Sequence, residues 1–291
     1  MQVSIYFMIR FIKDLRIVTY MCPSHPVQLY ELILELLEDA LGCFATLQYE
    51  SRSPGPLSDR PDPFSTDKAD LAFMTASAFM KLRGKKNPFV ELLPVTPVFA
   101  HQMNVENKPG YFSDIIIHSD KKAHNVNTLL DLRGCTFAYS DEESLSGSKI
   151  VLKTLKEKGE NASFFGSLLR SGSHLSSAQM VLSKQAEWAA VDSTTLLFTK
   201  KFMYDGGKDI ETLETLGRLP PYPIVVNAKL KAETKKAISN ALLNLSQTLQ
   251  WKNKFARFGI IKFEVNSDVA YDGPAAQMWA IQNEKLNVRY Y

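Results

Sequence analysis

The sequence predicts an α/β protein, and three observations predict it. Apolar runs of strand length alternate with stretches of helical periodicity along most of the chain. Gly, Pro and Ser clusters punctuate them. The composition, 45% apolar and 22% charged, is that of an ordinary globular protein, which excludes long disorder, collagen and coiled coil. At 291 residues the chain has the length of two domains. A chain of that size buries roughly three quarters of its unfolded surface, so it needs no disulfide staple or structural metal.

The elements follow in order. Leu15 to Thr19 is an apolar strand, and the loop Tyr20–His25 follows it. Val27 to Leu41 has helical periodicity, with Ser24 as its expected N-cap and Gly42 as its stop. Cys43 to Tyr49 alternates like a strand, and Ser51 to Pro63 is a Pro/Ser/Gly loop. Ala69 to Met74 is a buried strand, and Thr75 and Ser77 open the next helix. Val90 to Phe99 reads as strand broken by Pro94 and Pro97. Tyr111 to His118 and Cys135 to Tyr139 are strands, with a short helix at Thr128 to Leu132 closed by Gly134. Ser144–Ser148 leads into a helix over Lys149 to Lys158. Ser163 to Leu169 reads as a strand, and Ser171–His174 leads into a helix reaching Lys184. Glu187 to Val191 and Pro223 to Val226 are strands, and Lys231 to Phe258 is a long helical stretch broken near Trp251. This alternation implies parallel-type sheets covered on both faces.

Charge and cysteine usage narrow the function. Lys and Arg number 34 against 31 Asp and Glu, a formal charge of +3, and no basic face of the kind that binds nucleic acid emerges. The cluster Lys81, Arg83, Lys85 and Lys86 reads as a solvated loop. Three widely spaced cysteines, Cys22, Cys43 and Cys135, form no zinc pattern or disulfide framework and read as reduced thiols. The stretch Met1–Tyr20 is interrupted by Arg10, Lys13, Asp14 and Arg16 and shows no cleavage site, so a cytoplasmic location is expected from it. No cofactor, metal, membrane insertion or nucleic-acid partner is expected.

In open α/β sheets ligands bind beyond the carboxyl ends of the strands. The loops in that position are Tyr20–Pro26, Thr75–Ser77, Ser140–Ser148, Ser171–His174 and Asp192–Thr195. They are rich in Ser and Thr, and most run straight into a helix. A helix start presents unpaired N–H groups and partial positive charge, which suits an anion without any Lys or Arg. Ser144-Leu-Ser-Gly-Ser148 is the strongest example; equally, Ser144 or Ser146 is an ordinary N-cap. His174 can donate to an anion or to a backbone carbonyl, and His25 is a weaker case of the same kind. Asp192 can be a general base or a helix cap. No GxSxG, HExxH, P-loop or GxGxxG pattern is present.

Together these residues resemble the phosphonate- and phosphate-type substrate-binding proteins of ABC transporters. Tyr139-Ser-Asp-Glu-Glu-Ser-Leu-Ser-Gly147 is similar to their strand–loop–helix, whose loop usually reads Ser-Thr-Ser-Gly. Gly110-Tyr-Phe-Ser113, Phe164-Phe-Gly166 with Ser171-Gly-Ser-His174, Trp188-Ala-Ala-Val-Asp-Ser193, Pro221-Tyr-Pro-Ile-Val225, Phe258-Gly-Ile260 and Tyr271-Asp272 resemble further family segments, in order. The resemblance implies a two-lobed, periplasmic-binding-protein-like (type 2) fold: two parallel-type sheets with helices on both faces, joined by two crossover strands and closing on a ligand. Lobe one would be residues 1–100 and 215–291, and lobe two 101–214. It also implies no catalysis and, for an exported member, a transporter permease as partner.

Carried over, Tyr111, Ser144 and His174 fall on positions that contact phosphonate oxygens, and Leu145, Ser146 and Gly147 retain the helix-start loop. Leu145 replaces the family's Thr, losing a hydroxyl but keeping its N–H. Thr75 and Ser77 would supply an opposing helix start. Two carboxylates that hold an ammonium group in aminoalkyl phosphonate binders align with Thr194 and Tyr222, beside Asp192. An unpaired ammonium in a closed cleft is costly. The expected ligand is therefore phosphate, phosphite or a small alkyl phosphonate, and not 2-aminoethylphosphonate. The alternatives are a cytosolic stand-alone sensor or carrier, an enzyme on the same scaffold, and an interaction module that keeps only the fold.

Overall fold

A computed structural model of the chain describes residues 14–273, apart from residue 204. The sequence readings on Met1–Lys13 lie outside the described residues. In chain order the elements are β1 (Leu15–Thr19), α1 (Val27–Leu41), β2 (Ala45–Tyr49), β3 (Leu71–Phe73), α2 (Ala76–Gly84), β4 (Val90–Leu92), β5 (Val95–Phe99) and β6 (Tyr111–His118). Then come β7 (Thr136–Tyr139), α3 (Ile150–Glu157), β8 (Ser167–Arg170), α4 (His174–Leu182), β9 (Trp188–Asp192), α5 (Ser193–Phe202) and β10 (Ile210–Leu219). The chain continues with β11 (Ile224–Asn227), α6 (Ala232–Leu243), α7 (Leu249–Ala256) and β12 (Ile260–Val265). The described residues fall into two compact units: 14–100 with 106–109 and 221–271, and 101–105 with 110–220 and 272–273.

The first unit holds a five-stranded sheet in the order β2-β1-β3-β11-β4 and a two-stranded ribbon of β12 and β5. Strands β1, β2 and β3 are parallel, while β11 runs antiparallel to both β3 and β4. The second unit holds a sheet in the order β10-β6-β9-β7-β8. Its β9, β7 and β8 are parallel, and β6 is antiparallel to β9 and β10. Both sheets are thus mixed, which corrects the expectation of parallel-type sheets. Burial on both faces produces the same near-continuous apolar runs whichever way a strand points, so local pattern does not report direction.

Helix α1 shows how the sequence builds the first unit. Leu29, Tyr30, Ile33, Leu36 and Leu37 recur at helical spacing and are all buried. Gly42 ends it with φ 62°, a conformation glycine adopts without strain, and its N–H donates to the Glu38 carbonyl. The expected Ser24 cap is not used: Pro26 is the N-cap, with no side-chain bond, because the helix starts two residues later. In the second unit the core centres on Trp188, whose ring stacks on Phe137 at 4.1 Å and lies against Phe165. Ile116, Val181, Val191 and Leu196 pack in a neighbouring cluster.

Other expectations change for identifiable reasons. Pro97 lies within β5 and does not break it, since β5 pairs only with β12 and a missing N–H costs nothing on an open edge. Ser163–Leu169 divides into a tight turn, Ala162–Phe164, and β8, because Gly166 packs against the Gly134 backbone and both phenylalanines turn into the core. The long C-terminal helical stretch breaks at Asn244–Gln247, before Trp251. Strands β10 and β12 were not legible. In β10 the apolar residues Ile210, Leu213, Leu216 and Leu219 are spaced by three, because two bulges each shift the register.

Candidate functional site

The three parallel strands of the second unit, β8, β7 and β9, deliver the site. All three end on one edge of the sheet and run into turns: Ser140–Gly147 after β7, Ser171–His174 after β8 and Asp192 after β9. Antiparallel β6 starts at the same edge, where Ser113 lies opposite Asp192.

The turn after β7 is a wide helical coil, Leu145–Lys149, continuous with α3. Ser144 caps it, accepting from the Gly147 N–H at 2.9 Å. Ser113 on β6 donates to the Ser146 carbonyl at 2.6 Å, tying the turn to the sheet. The amides of Leu145 and Ser146 find no acceptor among the described residues, as befits the first positions of a helix. Leu145, Ser146 and Ser148 are buried. Gly147 is required by close approach: a Cβ there would lie 3.1 Å from the His174 ring and 3.0 Å from Ser144 Oγ, and closer still to Ser140 Oγ.

His174 is the first residue of α4, whose cap is Ser173, accepting from the Ser176 N–H at 3.0 Å. Its Nδ1 accepts from the Asp192 N–H at 3.2 Å. That bond selects the tautomer with the ring proton on Nε2. Nε2 lies 3.2 Å from Ser146 Oγ and 3.4 Å from Ser144 Oγ. The ring is closely enclosed, although His174 keeps part of its surface exposed. Burial pushes its pKa below the ordinary histidine value, opposed by the Asp192 carboxylate and the Ala190 carbonyl. The unliganded imidazole is thus a neutral donor.

Asp192 is a cap and not a base with a nucleophile. Its Oδ1 accepts from the Thr194 N–H at 2.8 Å, the Thr194 hydroxyl at 2.7 Å and the Thr195 N–H at 3.3 Å. Thr194 is consumed by that cap. Tyr111 is buried at the start of β6. Sequence reasoning named the loop from Ser140 but passed over Ser140 itself. Its hydroxyl is buried without a hydrogen-bond partner among the described residues, against Gly147. A serine directly following a strand was the available signal. Ser113 was missed as a positioning residue because strand pattern reports burial and not which carbonyl a hydroxyl meets.

Of the expected residues, the structure brings together Ser144, Ser146, Gly147, His174 and Asp192. Thr75, Ser77 and Tyr222 belong to the first unit. There Thr75 caps α2, accepting from the Ala78 N–H at 3.2 Å, with its hydroxyl 3.0 Å from that of Ser77. Tyr222 lies edge-on to His25, ring centres 5.1 Å apart. His25 itself is bonded to the Tyr30 hydroxyl at 3.0 Å. Among the described residues no group of three or more His, Cys, Asp or Glu could hold a metal, and no helix is long and apolar enough to cross a membrane.

A mixed α/β unit carrying serine hydroxyls, free helix-start amides and a neutral imidazole donor at the carboxyl edge of its sheet is equipped for an oxyanion. The family described as "ABC transporter, phosphonate, periplasmic substrate-binding protein" matches residues 20–271, and the chain belongs to it. It is 29% identical over 174 residues to the phosphonates-binding periplasmic protein of Escherichia coli, a match covering 59% of this chain. The aligned part is 51% of that protein's length, so the chain spans about half of the curated relative. Two solved structures share the fold. The binding component of an ABC phosphonate transporter from Pseudomonas aeruginosa has a TM-score of 0.68 at 18% identity, covering 88% of this chain and 82% of the other. PhnD1 from Prochlorococcus marinus in complex with methylphosphonate has 0.72 at 15% identity, covering 94% and 99%. The family's description is periplasmic, and these matches lend no support to the cytoplasmic expectation.

Proposed function

We propose that the chain is a solute-binding component that takes a phosphorus oxyanion with a small uncharged tail: phosphate, phosphite or a small alkyl phosphonate. One observation carries this reading. His174 Nε2 lies between the hydroxyls of Ser144 and Ser146, on a turn whose first two amides are unaccepted among the described residues. Rotating hydroxyls, fixed amides and a ring N–H supply donors to several oxygens of one tetrahedral anion, and each charge-assisted bond is stronger than a neutral one. Tyr111 is read as a further contact, and the two compact units as the two lobes, with Thr75 and Ser77 on the first. Leu145 contributes its amide. Thr194 and Tyr222 stand where a carboxylate would hold an ammonium, and neither carries a charge that could neutralise one. Ser144 and Ser146 both face His174 Nε2, but with Nδ1 accepting from the Asp192 N–H that nitrogen carries the ring proton and is not a base toward either hydroxyl, which argues against turnover. The family implies an ABC permease and ATPase as partners.

Calorimetry with phosphate, methylphosphonate and 2-aminoethylphosphonate tests the reading. One of the first two should bind tightest, and at a hundredfold excess over Kd should stabilise the fold by about 2.7 kcal/mol. Tightest binding of the amino compound would overturn the tail assignment; no binding by any of the three would overturn the oxyanion site. Fractionation of cells expressing the full-length protein separates a periplasmic from a cytoplasmic location.

A further inference from the structure

The first unit contains a cavity of about 530 Å³ that none of the oxyanion chemistry uses. Its floor is one face of the sheet. Val18 and Tyr20 alternate onto that face from the β1 chain, with Gln48 opposite Val18 in the β1–β2 register. Its cover is the segment 51–68, which contributes Leu57, Pro61 and Pro63.

This cover is anchored. Phe64 is fully buried, and its carbonyl accepts from Asn227 Nδ2 at 3.1 Å. Asn87 Nδ2 donates to Asp62 Oδ2 at 2.6 Å. The Pro63 carbonyl accepts from the Lys68 N–H at 2.7 Å. The space beneath is therefore built by fixed groups.

The lining has a distinct chemistry. Val18, Leu57 and the two prolines give it apolar lining and Tyr20 adds an aromatic side chain, while Leu47 and Tyr49 of the edge strand β2 border it. Arg60 and Lys68 bring two positive charges to it, and neither forms an ion pair among the described residues. The carboxylate in the lining, Glu50, is bonded by Arg52, and that bond, with a smaller pull from the Arg60 charge, lowers its pKa to about 2. Burial raises the Tyr20 phenol above its ordinary value, so its hydroxyl stays a donor.

We infer that this cavity is a second binding site, for an aromatic carboxylate whose ring lies on the apolar floor and whose charge meets Arg60 and Lys68. The volume falls within the range of small-molecule pockets and exceeds what an inorganic oxyanion would fill. An apolar lining with a few polar groups at one side suits a ring bearing one anionic substituent.

The test uses 1-naphthoate as probe, with phosphate and phosphonate absent, so its outcome does not depend on the oxyanion reading. Calorimetry should show saturable one-to-one binding. The double reversal Arg60→Glu with Lys68→Glu, at two exposed positions, should weaken binding about tenfold or more while the far-ultraviolet spectrum and thermal transition are retained. Leu57→Trp, which fills the cavity from its cover, should also abolish it. Saturating phosphate should not displace the probe. Absence of saturable binding at millimolar naphthoate, binding indifferent to charge reversal, or displacement by phosphate would each overturn the assignment.

Discussion

His25 and His174 occupy similar places in the chain and have opposite surroundings. Both follow a serine-containing turn just ahead of a helix, one in each unit. His25 is buried among rings: bonded to Tyr30, edge-on to Tyr222 and 6.0 Å from Phe99 between ring centres. The helix it precedes begins at Val27, with Pro26 as an N-cap that makes no side-chain bond. His174 instead meets two serine hydroxyls on one nitrogen and a backbone amide on the other. The first imidazole is committed to a phenol inside an apolar box. The second holds its proton toward groups that can turn to an incoming anion. What a histidine can do is set by what faces each ring nitrogen, and residue type together with loop position does not reveal that.

The comparison can be broken most severely at Gly147. Gly147→Ala pushes a methyl group into Ser140, Ser144 and His174 at once. Overpacking of that kind costs about 1–3 kcal/mol. Oxyanion affinity should fall about a hundredfold, read by calorimetry beside a thermal melt. A variant that binds normally would mean the turn is not the anion site.

Substituting the histidines separately comes next. His174→Ala should lower oxyanion affinity by about ten- to a hundredfold, since a hydrogen bond to a charged group is worth about 1.5–3 kcal/mol. His25→Phe should lower stability by about 1 kcal/mol, through the lost bond to Tyr30, and change affinity far less. Equal affinity losses in the two variants would erase the distinction drawn here.

A pH series sharpens the contrast. Burial lowers the pKa of His174 in the folded state below its unfolded value of about 6.5. The unfolded chain then binds more protons as pH falls through that value, so this group's effect is to reduce stability toward acid. Denaturant unfolding of the unliganded protein between about pH 7.5 and 5.5 should show this slope, and His174→Gln should flatten it. An unchanged slope in the variant would remove His174 as its source. The smallest expected effect is at Thr75. Thr75→Ala removes the cap of α2 and should cost about 1 kcal/mol of stability; no change in the unfolding midpoint would show that cap to be dispensable.

Much of the site was legible because its parts are local. A strand followed by Ser-x-Ser-Gly and a helix, and a second strand followed by Ser-Gly-Ser-His and a helix, declare their turns in sequence, and the caps at Thr75, Ser144 and Ser173 are formed by the serines and threonines expected to form them or by their immediate neighbours. Asp192 was legible as a cap for the same reason. Ser113 and Ser140 were not, since each acts on a residue brought near only by strand pairing or turn closure. Strand β10 escaped because its bulges replace alternation with a spacing of three.

By itself the sequence determined which segments are strands and helices over most of the chain, where the serine-rich turns lie, and that their chemistry suits an anion. These are short-range properties: apolar period, capping and glycine freedom act within a few residues. Only the tertiary structure decided that the sheets are mixed and that His174 rather than His25 meets the serine turn. Those outcomes depend on pairing between residues tens of positions apart, where hydrogen bonds and packing select among arrangements that local pattern leaves equivalent.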